Sequence, residues 1–284
     1  VNPVAYAFRL GVDRGRREWL QSLRSSDQWF NFFMASVFAI VLLFQRTSTL
    51  AGTPLSLAAA TLPSMIAMGV ALGGLVGPAG QLSMNREDGT LLRAKAVPQG
   101  MLGYLVGRVT QTSLDTATGI LIMVLPGIIV VPEIRAVGLG AWLTLIPVIL
   151  LGLLATLPWG AVVGSIAKSP QGAMGYTMLP MLALVGISGI FYPITAMPEW
   201  VQGLAQVFPL YWLGLGMRST ILPDAAAAAE IAGSWRHLET LGVLGLWAVV
   251  GFALAPGILR RMARRESGAN MEERRQAAIQ RGMG

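Results

Sequence analysis

Six runs of apolar residues, at 29–44, 54–82, 101–131, 137–166, 173–192 and 238–259, are separated by short polar segments. An α-helix needs about 20 mostly apolar residues to cross the hydrocarbon of a bilayer. Lipid cannot hydrogen-bond an open backbone, so a chain that crosses it does so as helices or as a closed barrel. The runs predict a single all-α transmembrane domain over residues 1–284 with six membrane-spanning helices and no sizeable soluble part. Charged residues are 12% of the chain, half the roughly 25% of a typical soluble domain, which points the same way. The first run is short, with Trp29 as an aromatic anchor at its edge.

Charge sets the orientation. The net charge of +7 reads as the excess of basic residues that membrane proteins keep in their cytoplasmic loops, not as a nucleic-acid surface. With both termini in the cytoplasm, that side holds the N-terminal arginines, Arg86, Arg93, Lys95, Lys168 and the tail at 260–284. The other side holds Arg46, Arg135, Arg218 and Arg236 against Glu133, Glu199, Asp224, Glu230 and Glu239. The chain is therefore expected as a multi-pass protein of the inner or plasma membrane. Residues 4–27 place Phe8, Val12, Trp19 and Leu23 at near-helical spacing among arginines, the pattern of an amphipathic helix lying in the interface. The basic tail belongs on the anionic cytoplasmic leaflet.

Several chemistries are excluded. There is no cysteine and His237 is the one histidine, so a disulfide framework and an imidazole metal centre are both ruled out. The two lysines, Lys95 and Lys168, each follow an alanine, so no phosphate-binding Gly-Lys-Ser/Thr loop exists in this chain. A membrane enzyme would need a pair of acid and base groups, and Asp115 is the one deeply placed carboxylate of the apolar runs.

Three features invite a functional reading. Gly69, Gly73 and Gly77 share a helix face in the second run; such faces serve close helix packing, with a glycine-lined substrate path as the alternative. The third run carries Arg108 and Asp115, two helical turns apart on nearly one face. Ionisable groups at this depth are either paired glue between helices or part of a polar wall. Residues 193–237 are aromatic and proline-rich, with pieces too short to span, as in a re-entrant helical hairpin between the fifth and sixth runs.

The segment 85–98 is the densest charged stretch between two apolar runs, and its sequence Arg86-Glu87-Asp88-Gly89-Thr90-Leu91-Leu92, closed by Pro98, resembles the coupling helix of type-2 ABC exporter permeases, the daunorubicin-resistance class among them. The Pro-Glu-Trp step at Pro198–Trp200 and the Phe208-Pro209 pair resemble that family's external hairpin. The resemblance implies a non-catalytic permease. Two copies of a separate ABC ATPase subunit would hold ATP and Mg, and a second permease subunit, identical or not, would complete a lipid-embedded exporter. It also implies a coupling contact through residues 86–92, with Glu87 and Asp88 as alternatives for the acidic group, since the family's Glu-Arg-Glu-like run is Asn85-Arg86-Glu87-Asp88 here. The implied translocation path would use Arg108, Asp115, Phe191 and Tyr192, and the outer gate Pro198, Trp200, Phe208 and Pro209. The implied cargo is amphipathic: drugs, lipids or glycoconjugates leaving the cytoplasm. The alternative is a secondary transporter in which Asp115 couples transport to an ion gradient.

Overall fold

The computed structural model describes residues 2–49, 56–190 and 192–265. The N-terminal helix α1 (Pro3–Ser22) is followed by α2 (Ser26–Gln45), α3 (Leu57–Glu87), the short α4 (Thr90–Lys95), α5 (Gly100–Val130), one-turn α6 (Pro132–Arg135), α7 (Leu139–Ile166) and α8 (Pro170–Ile187). Then come α9 (Glu199–Val207), α10 (Pro209–Ile221) and α11 (His237–Arg265), with a 3-10 turn at Ile194–Ala196 before α9 and two 3-10 pieces, Asp224–Ala229 and Ile231–Gly233, between α10 and α11. Among the described residues, four helices are long and apolar enough to cross a membrane: α3, α5, α7, and α11 over His237–Met262. The apolar part of α2, Ala35–Gln45, is shorter, and α8 opens on Pro170-Gln171-Gly172. At 1.5 Å per residue the 31 residues of α3 extend about 46 Å, beyond the roughly 30 Å of hydrocarbon, so its polar C-terminal turn projects past the apolar layer.

Helix α3 is the hub. Half of its most apolar stretch is buried, against 17% for α5 and 28% for α7, because α5, α7, α8 and α10 all pack on it. The α3–α7 contact is the tightest. A Cβ on Gly160 would stand 2.4 Å from the Leu75 carbonyl oxygen, and one on Gly164 2.6 Å from that of Ala79. In lipid no hydrophobic effect drives helices together, so backbones at this distance gain their attraction from van der Waals contact. Helix α7 stays continuous through Pro147 and Pro158; helices in membranes tolerate proline because neighbours satisfy the freed carbonyls.

Helix α1 meets α5 by small residues. Ala7, Gly11 and Gly15 are its buried positions, and a Cβ on Gly11 would meet the Gly103 carbonyl oxygen at 2.6 Å. Its apolar residues Val4, Tyr6, Phe8 and Leu10 are exposed. The turn after α5 is capped by Arg135, whose Nη2 donates to the Ile129 carbonyl at 2.8 Å. At the far end of the chain α10 is sunk among α3, α7 and α11, with every residue from Leu210 to Arg218 buried.

Filling the α3–α7 seam should disrupt the bundle. Gly160→Val is expected to destabilise by about 1–3 kcal/mol, the usual cost of overpacking, whereas Gly175→Val, at a site with no atom within 4 Å of its added Cβ, should leave the thermal midpoint in detergent unchanged. Equal midpoints for the two variants would show that α3 and α7 do not approach this closely.

Candidate functional site

The turn between α3 and α5 is built by its own residues. Helix α3 ends at Glu87, and Gly89 takes φ +74°, the left-handed region that glycine enters without penalty. Asp88 Oδ1 accepts a hydrogen bond from the Thr90 amide at 2.8 Å and locks the reversal. Helix α4 then lies across the end of the bundle. Leu91 and Ala94 are buried in one apolar cluster with Leu82, Tyr104, Ala255, Leu259 and Met262, so Leu91 fills a socket within this chain, where α4 packs on α3 and α5. Leu92 and Glu87 are half-buried, while Asp88, Arg93 and Lys95 are exposed. Arg93 Nη2 donates to Thr90 Oγ1 at 3.0 Å. A cavity of about 360 Å³ opens beside α4, with Arg14, Thr90 and Arg93 among its lining residues.

Arg86 turns inward. Its guanidinium, 7% exposed, donates through Nη1 to the carbonyls of Gly164 at 3.3 Å, Ser165 at 2.8 Å and Ala167 at 3.0 Å. These belong to the C-terminal turn of α7, where carbonyls lack helical partners and the helix dipole favours a cation. One residue earlier, Asn85 Nδ2 donates to the Tyr104 hydroxyl at 2.9 Å. The turn is thus pinned to α7 by Arg86 and to α5 by Asn85.

The polar groups of α5 find their partners on α1. Arg108 pairs with Glu18 at 3.1 Å and donates to Gln111 at 2.6 Å. Asp115 accepts from Ser22 Oγ at 2.6 Å, and Trp19 Nε1 donates to Thr118 at 2.9 Å. This ladder joins the two helices, as buried charges in lipid require. Arg108 and Asp115 also line a larger cavity of about 700 Å³ between α2, α3 and α5. Tyr192 lies elsewhere, lining a small cavity with Ser64, Arg218 and Glu230 near the opposite end of α3. Phe191 lies outside the described residues. The expected path residues therefore do not form one cluster.

At that opposite end the hairpin residues take different places. Pro198 precedes α9 and is exposed; Trp200, 73% exposed, points outward with Leu204 and Val207. Pro209 opens α10. Phe208 stands 6.2 Å from the Trp247 ring, and Trp247 Nε1 donates to the Val207 carbonyl at 2.9 Å, tying the α9–α10 elbow to α11. By charge pattern Arg218 and Glu230 belong with the outer loop charges, yet both are buried, at 5% and 8% exposure. They form a forked pair, Nε–Oε1 at 2.5 Å and Nη2–Oε2 at 3.1 Å, and Arg218 Nη1 also donates to Ser64 Oγ at 3.2 Å and the Gly189 carbonyl at 3.5 Å. One guanidinium thereby joins α3, α10, the end of α8 and the turn before α11. The available signal was an arginine directly following the apolar run Tyr211–Met217.

Residues 15–222 match the family model described as ABC-2 type transporter. The chain belongs to the ABC-2 type transporter family. The matched stretch runs from within α1 to the end of α10 and so takes in the α4 turn, the α1–α5 ladder and Arg218. The chain is also similar to the linearmycin resistance permease protein LnrN of Bacillus subtilis (strain 168), at 25% identity over 108 residues. The similar region is 38% of this chain and 26% of that protein, so this ABC-2 chain spans about a quarter of the relative's length.

Breaking the buried fork should be costly. Removing one member of a buried ion pair typically destabilises by about 3–5 kcal/mol, because the other charge stays buried. Glu230→Ala is expected to lower the thermal midpoint and abundance of the ABC-2 chain sharply, and Arg218→Met together with Glu230→Leu to recover most of that loss. Additive losses in the double variant would show that the two groups do not act as a pair.

Proposed function

We propose that this chain is the transmembrane permease subunit of an ATP-driven exporter that moves amphipathic molecules out of the cytoplasm. ATP and Mg would be held by two copies of a separate ATPase subunit, with a second permease subunit, identical or different, across the complex. The observation that carries this reading is the α4 turn. A reversal tied to α5 and α7, with Asp88, Arg93 and Lys95 outward, would be a handle through which a force applied outside the membrane reaches α3, α5 and α7 together. Nucleotide-driven closure of the ATPases would push on this handle, and the outward aromatic edge of α9 would serve the outer gate. Drug-like cargo is favoured by the name of the resistance permease to which the chain is similar.

In this reading α2 and α8 cross with the four longer helices, giving six spans. The α4 end faces the cytoplasm, since Arg14, Arg93, Lys95 and Lys168 gather there. Helix α1 rests at that interface, with Val4, Phe8 and Leu10 exposed toward lipid. The ion-gradient alternative is weaker, because Asp115 is engaged by Ser22 as part of the α1–α5 ladder.

The docking edge of α4 can be separated from its buried face. Asp88→Asn keeps the oxygen that accepts from Thr90 and removes the charge. Combined with Glu87→Gln, it is expected to weaken co-purification of the ATPase while insertion and thermal midpoint stay at wild-type values. Arg93→Glu with Lys95→Glu should do the same. Loss of a charged contact that is desolvated on docking costs about 2–5 kcal/mol, enough to release the partner. Leu91→Asp should instead unfold the end of the bundle by burying a charge among apolar groups. Wild-type co-purification and ATP-dependent efflux in both charge variants would overturn the coupling assignment.

A further inference from the structure

The 700 Å³ cavity between α2, α3 and α5 has a shape that the α4 turn does not explain. Its α3 wall runs from Thr61 through Met65, Met68, Leu72 and Gly77 to Gln81, twenty residues along one helix and so about 30 Å. That is close to the full hydrocarbon thickness of a bilayer. The middle is apolar, with Met123 and Ile120 of α5 and Phe38 of α2 facing the α3 methionines across it. Methionine side chains are unbranched and adapt to varied apolar shapes. One end is polar, where Gln81, Arg108, Gln111, Thr112 and Asp115 gather. At the other end Gln45 joins Thr61, and the Gln45 Oε1 is buried with no hydrogen-bond partner among the described residues. Binding sites for small organic molecules have this make-up: a volume of about 300–1,000 Å³, mostly apolar walls and a few placed polar groups.

The glycine seam of α3 divides accordingly. Gly73 serves packing, since a Cβ there would stand 2.4 Å from Thr116 Oγ1. Gly69 and Gly77 do not. A Cβ on Gly69 would meet a single Met123 methyl at 3.6 Å, and one on Gly77 would meet nothing within 4 Å. Both line the cavity, and their missing side chains are what keep it open.

We propose that this groove binds one elongated amphiphile within a single subunit, its apolar length along the methionine wall and its polar head among Gln81, Arg108, Gln111 and Asp115. The charge of Arg108 is already met by Glu18, and the Asp115 carboxylate, which accepts from the Ser22 hydroxyl, keeps its negative charge beside them. An uncharged head rich in hydroxyl or amide groups therefore fits better than a strong anion. That the occupant is exported cargo rests on the exporter reading above; that the groove binds it does not.

Membranes containing the full chain are irradiated with N-hexadecylgluconamide carrying a diazirine at mid-chain, and the labelled peptides are mapped by mass spectrometry. Label is expected on α3 around residues 65–72 and on α5 around residues 119–123. Gly69→Leu and Gly77→Leu, which fill the groove, should lose most of it. Gly80→Leu, equally open but off the groove, should keep it. Met65→Trp occludes the same space should a glycine variant fail to insert. Label that persists in the occluding variants, or that falls on the outer face of α11, overturns the proposal. So does displacement by a diacyl phospholipid as readily as by unlabelled gluconamide, because the groove would then hold resident lipid. Efflux of the same probe is read separately with the ATPase partner present. Groove labelling without ATP-dependent efflux in the wild type supports the binding site and refutes the exporter reading. Wild-type efflux from Gly77→Leu overturns the groove as the cargo's route.

Discussion

The guanidinium of Arg86 on the last carbonyls of α7 is the interaction on which the rest of the architecture turns. The C-terminal turn of a helix leaves carbonyls without partners, and away from water each one is expensive. Arg86 satisfies three of them at once, and a cation in that position gains up to about 2 kcal/mol from the helix dipole when partly buried. Because Arg86 belongs to the last turn of α3, the ends of α3 and α7 move as one body. The glycine contacts of Gly160 and Gly164 extend that union along the helices. Helix α4 begins three residues beyond the last of α3, so its position is set by this clamp.

A second clamp of the same chemistry closes the opposite end. Arg218 gathers Glu230, Ser64 and the Gly189 carbonyl. The two arginines sit near the two ends of α3, one joining it to α7 and the other to α8 and α10. Between them α3 offers α2 and α5 a face of methionine and glycine with room beside it. In the proposed exporter, a helix held at both ends next to an open groove would transmit displacement along its axis and so link the α4 turn to a cargo in the membrane.

Much of this was legible in the residues. The apolar runs gave the helices, and the charges of 85–98 gave the turn, because a dense charged stretch between two such runs has no stable place in lipid. The direction of each side chain was not legible. Leu91 reads equally well as facing a partner or facing inward, and the apolar cluster that decides it includes residues of α11, some 160 residues later. Arg108 and Asp115 raised two readings because their partners Glu18 and Ser22 lie about ninety residues earlier. In α1 the eye follows Phe8 and Val12, while the buried contact is made by Ala7, Gly11 and Gly15, since close packing in lipid rewards small residues over large ones. Charge counting assigned Arg218 and Glu230 to the same side and could not say that they meet.

Arg86→Gln tests the central claim most directly. Glutamine still donates to a carbonyl but cannot hold three, so the α4 surface persists while its tie to α7 weakens. The complex is reconstituted with its ATPase, and subunit co-purification and ATP-dependent efflux are measured on the same preparation. The account predicts wild-type co-purification with efflux lost. Efflux at the wild-type rate in Arg86→Gln would contradict it.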